Sequence, residues 1–300
     1  MASLKTTDLD LANHQGETWV KNIRGGVLSK LAPEAPDIKV GKTDHFTFTA
    51  TPKAELVGES QNKSSNDDKP TKATVNTYKV QVTYRFSNEV QWEDEDFQIG
   101  LIDAMVANIA IALNRALDLI AIHGINPKTG TVSASVVQYF NKSGNGVHRH
   151  TTTADASADV EAMAGLLSGA SHVATGIGFD PSFVGQLAKS RVNGVKQYPE
   201  LGLGFNVDNF QGLQAASSDT VSGRQELGAE DALVQALMGD FNAFKWGVAR
   251  YVPLELIEYG DPDGNGDLKR TNEVAIRAES VLGYTIFDET AFVLAAKTAA

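Results

Sequence analysis

The chain has 300 residues, 42% of them hydrophobic, a formal net charge of −11 and no cysteine. That length suits two compact lobes or one elaborated domain, and the lack of thiols excludes disulfides and thiolate chemistry while leaving the compartment open. The acidity argues against a general nucleic-acid binder, which needs a basic surface to release counterions from phosphates.

The start, Met-Ala-Ser-Leu-Lys-Thr-Thr-Asp, has no apolar signal core, which argues against export by that route. Residues 1–40 are weakly patterned and broken by Gly25-Gly26 and Leu31-Ala-Pro-Glu-Ala-Pro36, as in an extended arm that a partner holds in place. Phe46, Phe48 and Ala50 alternate with Thr47 and Thr49, and Tyr78, Val80, Val82, Tyr84 and Phe86 alternate with Thr77, Lys79, Gln81, Thr83 and Arg85. This period of two predicts half-buried strands forming a hairpin. Between them Gly58 to Lys72 has no apolar residue, so burial cannot offset the entropy of ordering it, and the spacing predicts a tip projecting into solvent or onto a neighbour. A disordered linker between two domains is the alternative.

The carboxylates of Glu93, Asp94, Glu95 and Asp96 suit a helix N-terminus, and residues 97–123 then carry one long helix pattern. Leu101, Ile102, Met105, Ile109, Leu113, Ala116, Leu117 and Ile120 form a stripe at three- and four-residue spacing. About 30 residues at roughly 1.5 Å each predict a rod of about 45 Å, capped by Gly124 with Pro127 beyond. Asp103, Asn108, Asn114, Arg115 and Asp118 interrupt its apolar run, which favours a helix packed in protein over a membrane span. Helices are next expected over Asp155 to Leu167 and Phe183 to Arg191, the second after a strand-to-helix turn containing Pro181. Residues 193–231 are rich in loop formers. Strands are expected over Ala243 to Val248, Val252 to Tyr259, Glu273 to Ser280 and Thr285 to Asp288. Strands closing the sequence after helices predict an α+β fold.

Chemical motifs are weak. Asp261, Asp263, Asn265, Gly266 and Asp267 match the opening of a calcium loop, but Asn272 stands where the bidentate Glu belongs and Lys269 at the ninth position, so a solvated hairpin turn is favoured. His123, His148 and His150 lack zinc spacing and an identifiable carboxylate partner, which favours a surface loop for the last two. Gly176-Ile-Gly178, Gly202-Leu-Gly204 and Gly124 to Gly130 are incomplete as phosphate loops, and no hydrolase elbow occurs. Glu93 to Asp96 is a capping run rather than an acid–base pair, and Trp19, Trp92 and Trp246 are scattered anchors rather than a base-stacking platform. No catalytic, cofactor-binding or metal-ligating residues are nominated.

Several pieces carry a resemblance in their order: the arm of residues 1–44, Val57-Gly-Glu-Ser60 with Lys69-Pro70, Tyr78 to Phe86, and Ala110-Ile-Ala-Leu-Asn-Arg-Ala-Leu-Asp118 with His123-Gly124. Gly239-Asp-Phe241, Ala275-Ile-Arg-Ala-Glu279, Gly283-Tyr-Thr-Ile-Phe-Asp288 and Ala291-Phe-Val293 complete it. This order resembles the major capsid proteins of tailed bacteriophages with the Hong Kong 97-type fold, over nearly the whole chain. The resemblance implies an N-terminal arm (residues 1–44), an extended loop (45–90), a peripheral domain with a spine helix (91–171 and 246–285) and an axial domain (172–245 and 286–300).

It also implies a non-enzymatic subunit without cofactors. Such a subunit forms pentamers and hexamers of itself in an icosahedral virion shell around double-stranded DNA, assembles in the host cytoplasm, and meets scaffold, portal and decoration proteins but no membrane. Family members that begin with a helical scaffolding segment differ from this chain, which implies a separate scaffold protein or none. Lys53, Lys63, Lys69 and Lys72 lie in the loop, as in any chain this polar, and covalent crosslinking is not expected. Two rivals remain open: a bacterial nanocompartment shell protein, and a soluble α+β enzyme using one of the acidic clusters.

Overall fold

The computed structural model describes residues 25–35, 38–41, 43–48, 52–66, 69–89, 95–202, 204, 206–228, 231 and 233–298, without the side chains of 95–103 and 251–253. In chain order the elements are α1 (Leu28–Leu31), β1 (Thr43–Thr47), β2 (Thr71–Ser87) and α2 (Glu95–Asp118), which runs into a π-turn at Leu119–His123. Then come β3 (His148–Thr151), α3 (Ala156–Gly169), β4 (Gly176–Phe179), α4 (Pro181–Lys189), β5 (Arg191–Val192), β6 (Val195–Lys196), β7 (Asn209–Phe210) and β8 (Leu213–Ser217). The last are α5 (Arg224–Leu227), β9 (Val234–Gly239), β10 (Phe244–Ile257), α6 (Leu268–Thr271), β11 (Glu273–Ile286) and β12 (Phe292–Ala296).

Two sheets carry the fold. One has the order β1-β2-β11-β10, the other β3-β12-β9-β4-β8-β7, and β5 with β6 forms a separate small hairpin. The long helix α2 lies across the first sheet: Met105 and Ile109 pack on Phe86, Val274, Ile276 and Ala278, with Val82, Tyr84 and Leu113 at the margin. Its C-terminal end enters a second core, where Leu117, Ile120, Ala121 and Ile122 meet Val27, Leu28 and Leu31 of the arm base, Tyr284 of the first sheet, and Leu237, Phe292 and Leu294 of the second. A third core fills the opposite face of the six-stranded sheet, under α3 and α4, around Met163, Phe179, Phe183, Leu187 and Phe210. The six-stranded sheet is thus covered on both faces.

The helix ends as its sequence predicts. Gly124 is left-handed at φ 69°, and a side chain there would strike the Tyr139 ring, so the cap admits only glycine. Ala104–His123 is long and apolar enough to cross a membrane by length and composition, yet about half of it is buried inside the protein. The residues 91–94 proposed to cap its start lie outside the described residues, as does Trp92. Asp155 and Asp180 cap α3 and α4 by accepting backbone N–H bonds, and Pro181 opens α4.

Several expectations need correction. The strands expected at 243–248 and 252–259 are one strand, β10, bent by register shifts between Val248 and Arg250 and between Val252 and Glu255. The second shift spans Pro253, which cannot donate to a ladder. Likewise 273–280 and 285–288 join through Gly283 into β11. Strand β9 was not anticipated: all six of its residues are buried, and a strand covered on both faces shows no alternation. His148 and His150 stand in β3, paired in parallel with β12, not in a surface loop. Strand β3 pairs with β12, and α3 packs on both, so these two elements lie on the six-stranded sheet.

Packing depth sets a stability order along α2. Ile109 is 3% exposed, whereas Leu113 lies at the margin of the same cluster. Ile109→Ala should therefore destabilise the unassembled subunit by about 2–4 kcal/mol, and Leu113→Ala by clearly less. Urea unfolding of the two variants checks this, and equal losses would contradict the packing of the rod on the sheet. Leu113→Asp should still lower the midpoint, because it places a charge against Val82 and Tyr84.

Candidate assembly site

The features set apart from a self-contained fold are the extended ribbon of β1 and β2 and the junction that holds the arm. Strand β2 outruns its sheet. Ser87 to Asn76 pair with β11, while Val75 to Thr71 pair only with β1, in the register Thr43↔Val75 to Thr47↔Thr71. At about 3.3 Å per residue, the 17 residues of β2 span roughly 56 Å, of which the first five, about 16 Å, run beyond β11 as the ribbon.

The hairpin is therefore real but differently paired from the sequence reading: the segment Tyr78 to Phe86 faces β11, not the Phe46 strand. The alternation within β2 holds, with Tyr78 and Val80 against one core and Val82, Tyr84 and Phe86 in another. On the ribbon it fails. Phe46 and Phe48, expected to be half-buried, are 70% and 66% exposed. A period of two assigns residues to faces, but no layer among the described residues covers the face that Phe46 occupies.

The tip is also more ordered than its composition suggests. Thr71 and Lys72 belong to β2, where Lys72 Nζ lies 2.8 Å from Asp44. Glu55 accepts from the Ser64 N–H at 3.0 Å and from its hydroxyl at 2.7 Å, which lowers the Glu55 pKa. Asn66 Nδ2 donates to the Lys53 carbonyl at 3.2 Å, and a turn closes from Gly58 to Gln61. The result is a polar bight with Leu56 fully exposed.

At the end of β2 remote from the ribbon, Arg85 sits in the segment read as the solvent-facing side of a strand, yet its side chain is 7% exposed. It donates to Glu273 at 2.6 Å, Asp263 at 2.9 Å, the Gly266 carbonyl at 3.1 Å and Thr271 at 3.1 Å. The turn that resembles a calcium loop is thus fastened to β2 by a guanidinium, and Asp267 caps α6.

The junction is built on α2. Asp118 is fully buried and accepts from the backbone N–H groups of Val27 at 2.6 Å and Leu28 at 3.0 Å and from the Thr220 hydroxyl at 2.5 Å. One helical turn earlier, Arg115 holds Asp219 through two bonds, at 2.8 and 3.0 Å, and Glu226 at 2.9 Å. Burial disfavours the guanidinium charge, but Asp219 and Glu226 more than compensate and raise its pKa. Burial pushes the Asp118 carboxyl up to about 6, against the pull of Thr220, the two N–H donors and Arg115.

His123 closes the cluster. Its Nε2 faces the carbonyls of Thr220 at 3.2 Å and Val221 at 3.0 Å, so Nε2 carries the proton of a neutral ring, and burial lowers its pKa to about 4. No zinc-type set surrounds it: among the described residues no three His, Cys, Asp or Glu side chains converge as metal ligands. His150, expected to lack a carboxylate, has one, with Nε2 2.9 Å from Asp159. Trp246 donates to the Ala32 carbonyl at 3.0 Å and helps fasten the arm to β10, while Trp19 lies outside the described residues. A shallow open hollow lined by Lys30, Leu31, Pro33, Thr175, Gln214 and Asn242 brings together no acid–base pair.

The comparisons with known proteins bear on this arrangement. The model of the phage capsid family matches residues 24–296. This chain belongs to the phage capsid family. A chain of Mycobacterium phage Ogopogo is 40% identical, with 99% of this chain and 100% of that one covered and a TM-score of 0.84. One of Gordonia phage Cozz is 27% identical, with coverages of 98% and 94% and a TM-score of 0.80. No curated protein matches. The protein is thus a major capsid protein of a tailed phage with the Hong Kong 97-type α+β fold, a structural component of the virion capsid that assembles with copies of itself into a shell.

The capsid protein's junction makes a signed pH prediction. Asp118 has a folded pKa above its ordinary 3.8, so the folded state binds more protons and this residue's contribution falls as pH rises from about 4 to about 6. His123 has a folded pKa below its ordinary 6.5, so its contribution rises over about pH 4 to 6.5. Shifts of about two units correspond to about 3 kcal/mol each, and they oppose one another. Asp118→Asn should make stability rise more steeply with pH in this window, and His123→Gln should make it fall. Urea unfolding of the unassembled subunit at pH 4.5 and 6.5 measures both, and parallel profiles for wild type and variants would refute the assignment.

Proposed function

We propose that the shell is icosahedral, built of pentamers and hexamers of this chain, and that it encloses double-stranded DNA without reading its sequence. The observation that carries this reading is the extended ribbon, whose apolar residues Phe46, Phe48 and Leu56 are exposed and uncovered by any of the described residues. Such residues find cover on neighbouring copies, and symmetry repeats each contact around the shell. A chain of similar fold, 16% identical with a TM-score of 0.60, belongs to the capsid of an empty GTA particle, which supports a closed shell. The net charge of −11 supports a container that does not bind its nucleic acid tightly.

In this reading the subunit has no enzymatic role, assembles in the host cytoplasm, and meets a scaffold, a portal and decoration proteins during its life. Residues 1–44 act as the arm and 45–90 as the extended loop. The sheet bearing α2 forms the peripheral domain, and the six-stranded sheet, with residues 148–171 added to it, forms the axial domain.

Electron microscopy of the expressed protein should find closed shells or rings of five and six; a uniform monomer even with a scaffold supplied would overturn the reading. In virions the enclosed DNA should resist nuclease until the shell is opened, and a protein cargo in its place would favour a nanocompartment. Replacing residues 54–66 with Gly-Ser-Gly should leave the unfolding midpoint of the free subunit unchanged while abolishing or weakening assembly, because the bight contributes nothing to the cores. A variant that assembled as well as wild type would remove the loop from the mechanism.

A further inference from the structure

We propose that Asn193 is a self-modification site, where the side-chain amide cyclises onto the Gly194 nitrogen and reopens as aspartate or isoaspartate, and that the fold withholds this reaction from the chain's other Asn–Gly pairs. Those pairs are Asn145-Gly146 and Asn265-Gly266. Glycine has no side chain to hinder approach to the preceding carboxamide, so each pair is open to the chemistry by sequence. Local structure decides between them.

In the reaction the Gly194 nitrogen gives its proton to hydroxide and attacks Asn193 Cγ. The N–Cγ bond forms as the Cγ–Nδ2 bond breaks, and Nδ2 takes a proton from water and leaves as ammonia. Water then adds to either carbonyl of the cyclic imide, giving aspartate or isoaspartate. The step needs an N–H without a partner, a carboxamide free to turn and a backbone able to bring the two together.

Asn193 meets all three needs. With Gly194 it forms the two-residue turn between β5 and β6, left-handed at φ 52° and 81°. Among the described residues neither its carboxamide nor the Gly194 N–H has a hydrogen-bond partner, and residues 191–197 are all exposed. The hairpin is held by the pairs Arg191↔Lys196 and Val192↔Val195 and joins no other strand. A lone two-stranded hairpin is only marginally stable, so the turn opens readily. Arg191 donates to the Gly194 carbonyl at 3.2 Å and so puts a positive charge beside the nitrogen that becomes an anion.

The other two pairs are tied. Asn145 Nδ2 donates to the carbonyls of Tyr139 at 3.1 Å and Phe140 at 3.0 Å, which holds the carboxamide still. The Gly146 N–H donates to Glu289 at 2.8 Å, and a carboxylate there keeps the proton on nitrogen. Asn265 Nδ2 donates to Asp263 at 2.7 Å, while Arg85 fixes both Asp263 and the Gly266 carbonyl. At Asn193 the product changes the surface: aspartate adds a negative charge between Arg191 and Lys196, and isoaspartate adds a methylene to the main chain, which breaks the Val192↔Val195 register.

The test ages the purified, unassembled full-length chain at mildly alkaline pH, both native and in urea, and follows each pair by peptide mass mapping. Conversion adds one mass unit, and enzymatic methylation of isoaspartate marks the product independently. In the native chain Asn193 should convert at least about tenfold faster than Asn145 or Asn265, because the rate follows the population of the opened turn. In urea the rates should converge. Equal native rates, or native conversion led by Asn145 or Asn265, would overturn the proposal. So would a native Asn193 that stays intact while the urea sample converts.

Discussion

A single carboxylate holds three parts of this subunit in register. Asp118 projects from α2, caps the first backbone N–H groups of the arm base and takes the Thr220 hydroxyl of the loop that follows β8. Removing one donor from a buried carboxylate leaves a charge partly unsatisfied, and that costs more than the lost bond. The three segments are therefore fixed together, and the neighbouring Arg115 repeats the constraint by tying the same helix to Asp219 and Glu226. Because α2 also lies on the four-stranded sheet, a position set at Asp118 is transmitted along a stiff rod to the end of that sheet at Val82 to Phe86.

This division of labour explains where apolar surface is spent. The cores engage β11 at both ends, with Val274, Ile276 and Ala278 under α2 and Leu282, Tyr284 and Ile286 against the π-turn end of the rod. Outside those cores the exposed phenylalanines, Phe46 and Phe48, stand on the ribbon with Leu56 at its tip, while other exposed apolar side chains such as Val132, Val173 and Tyr259 are scattered. A Phe buried at an interface contributes about 1.5–3 kcal/mol, so Phe46 and Phe48 together are weak for one pair of subunits and strong for a closed shell. A rigid body with weak, repeated contacts can reject misplaced partners during growth, since no single contact is strong enough to trap one.

The sequence was most legible where one face is buried and the other wet. The stripe of α2, its Gly124 stop, the alternation of Tyr78 to Phe86 and the Asp–Pro opening of α4 each have a local cause, and each appears in the structure. Illegibility has two distinct sources. Strand β9 is covered on both faces and loses its period, so Val234 to Gly239 carries no alternation that marks it as a strand. Phe46 and Phe48 kept their period but not its meaning, because no layer among the described residues covers them. The junction was hidden for another reason: Asp118, Arg115 and His123 appeared as interruptions of an apolar helix, and their partners lie about 100 residues away. Polar residues at buried positions of an otherwise apolar helix were the available signal.

The turn after β10 shows how the same acidic residues can have two readings. Asp261 to Asp267 has the composition of a cation loop, and in the fold a cation is indeed present, supplied by Arg85 from β2. A guanidinium offers several donors in a fixed fork, and here it satisfies Asp263, the Gly266 carbonyl, Thr271 and Glu273 at once. A metal ion would bring a higher charge and depend on its supply; an arginine on a strand is always charged and always in place. That permanence suits the position, because Arg85 stands at the end of β2 remote from the ribbon, and a clamp there fastens the turn after β10 and the start of β11 to the strand whose other end carries the ribbon.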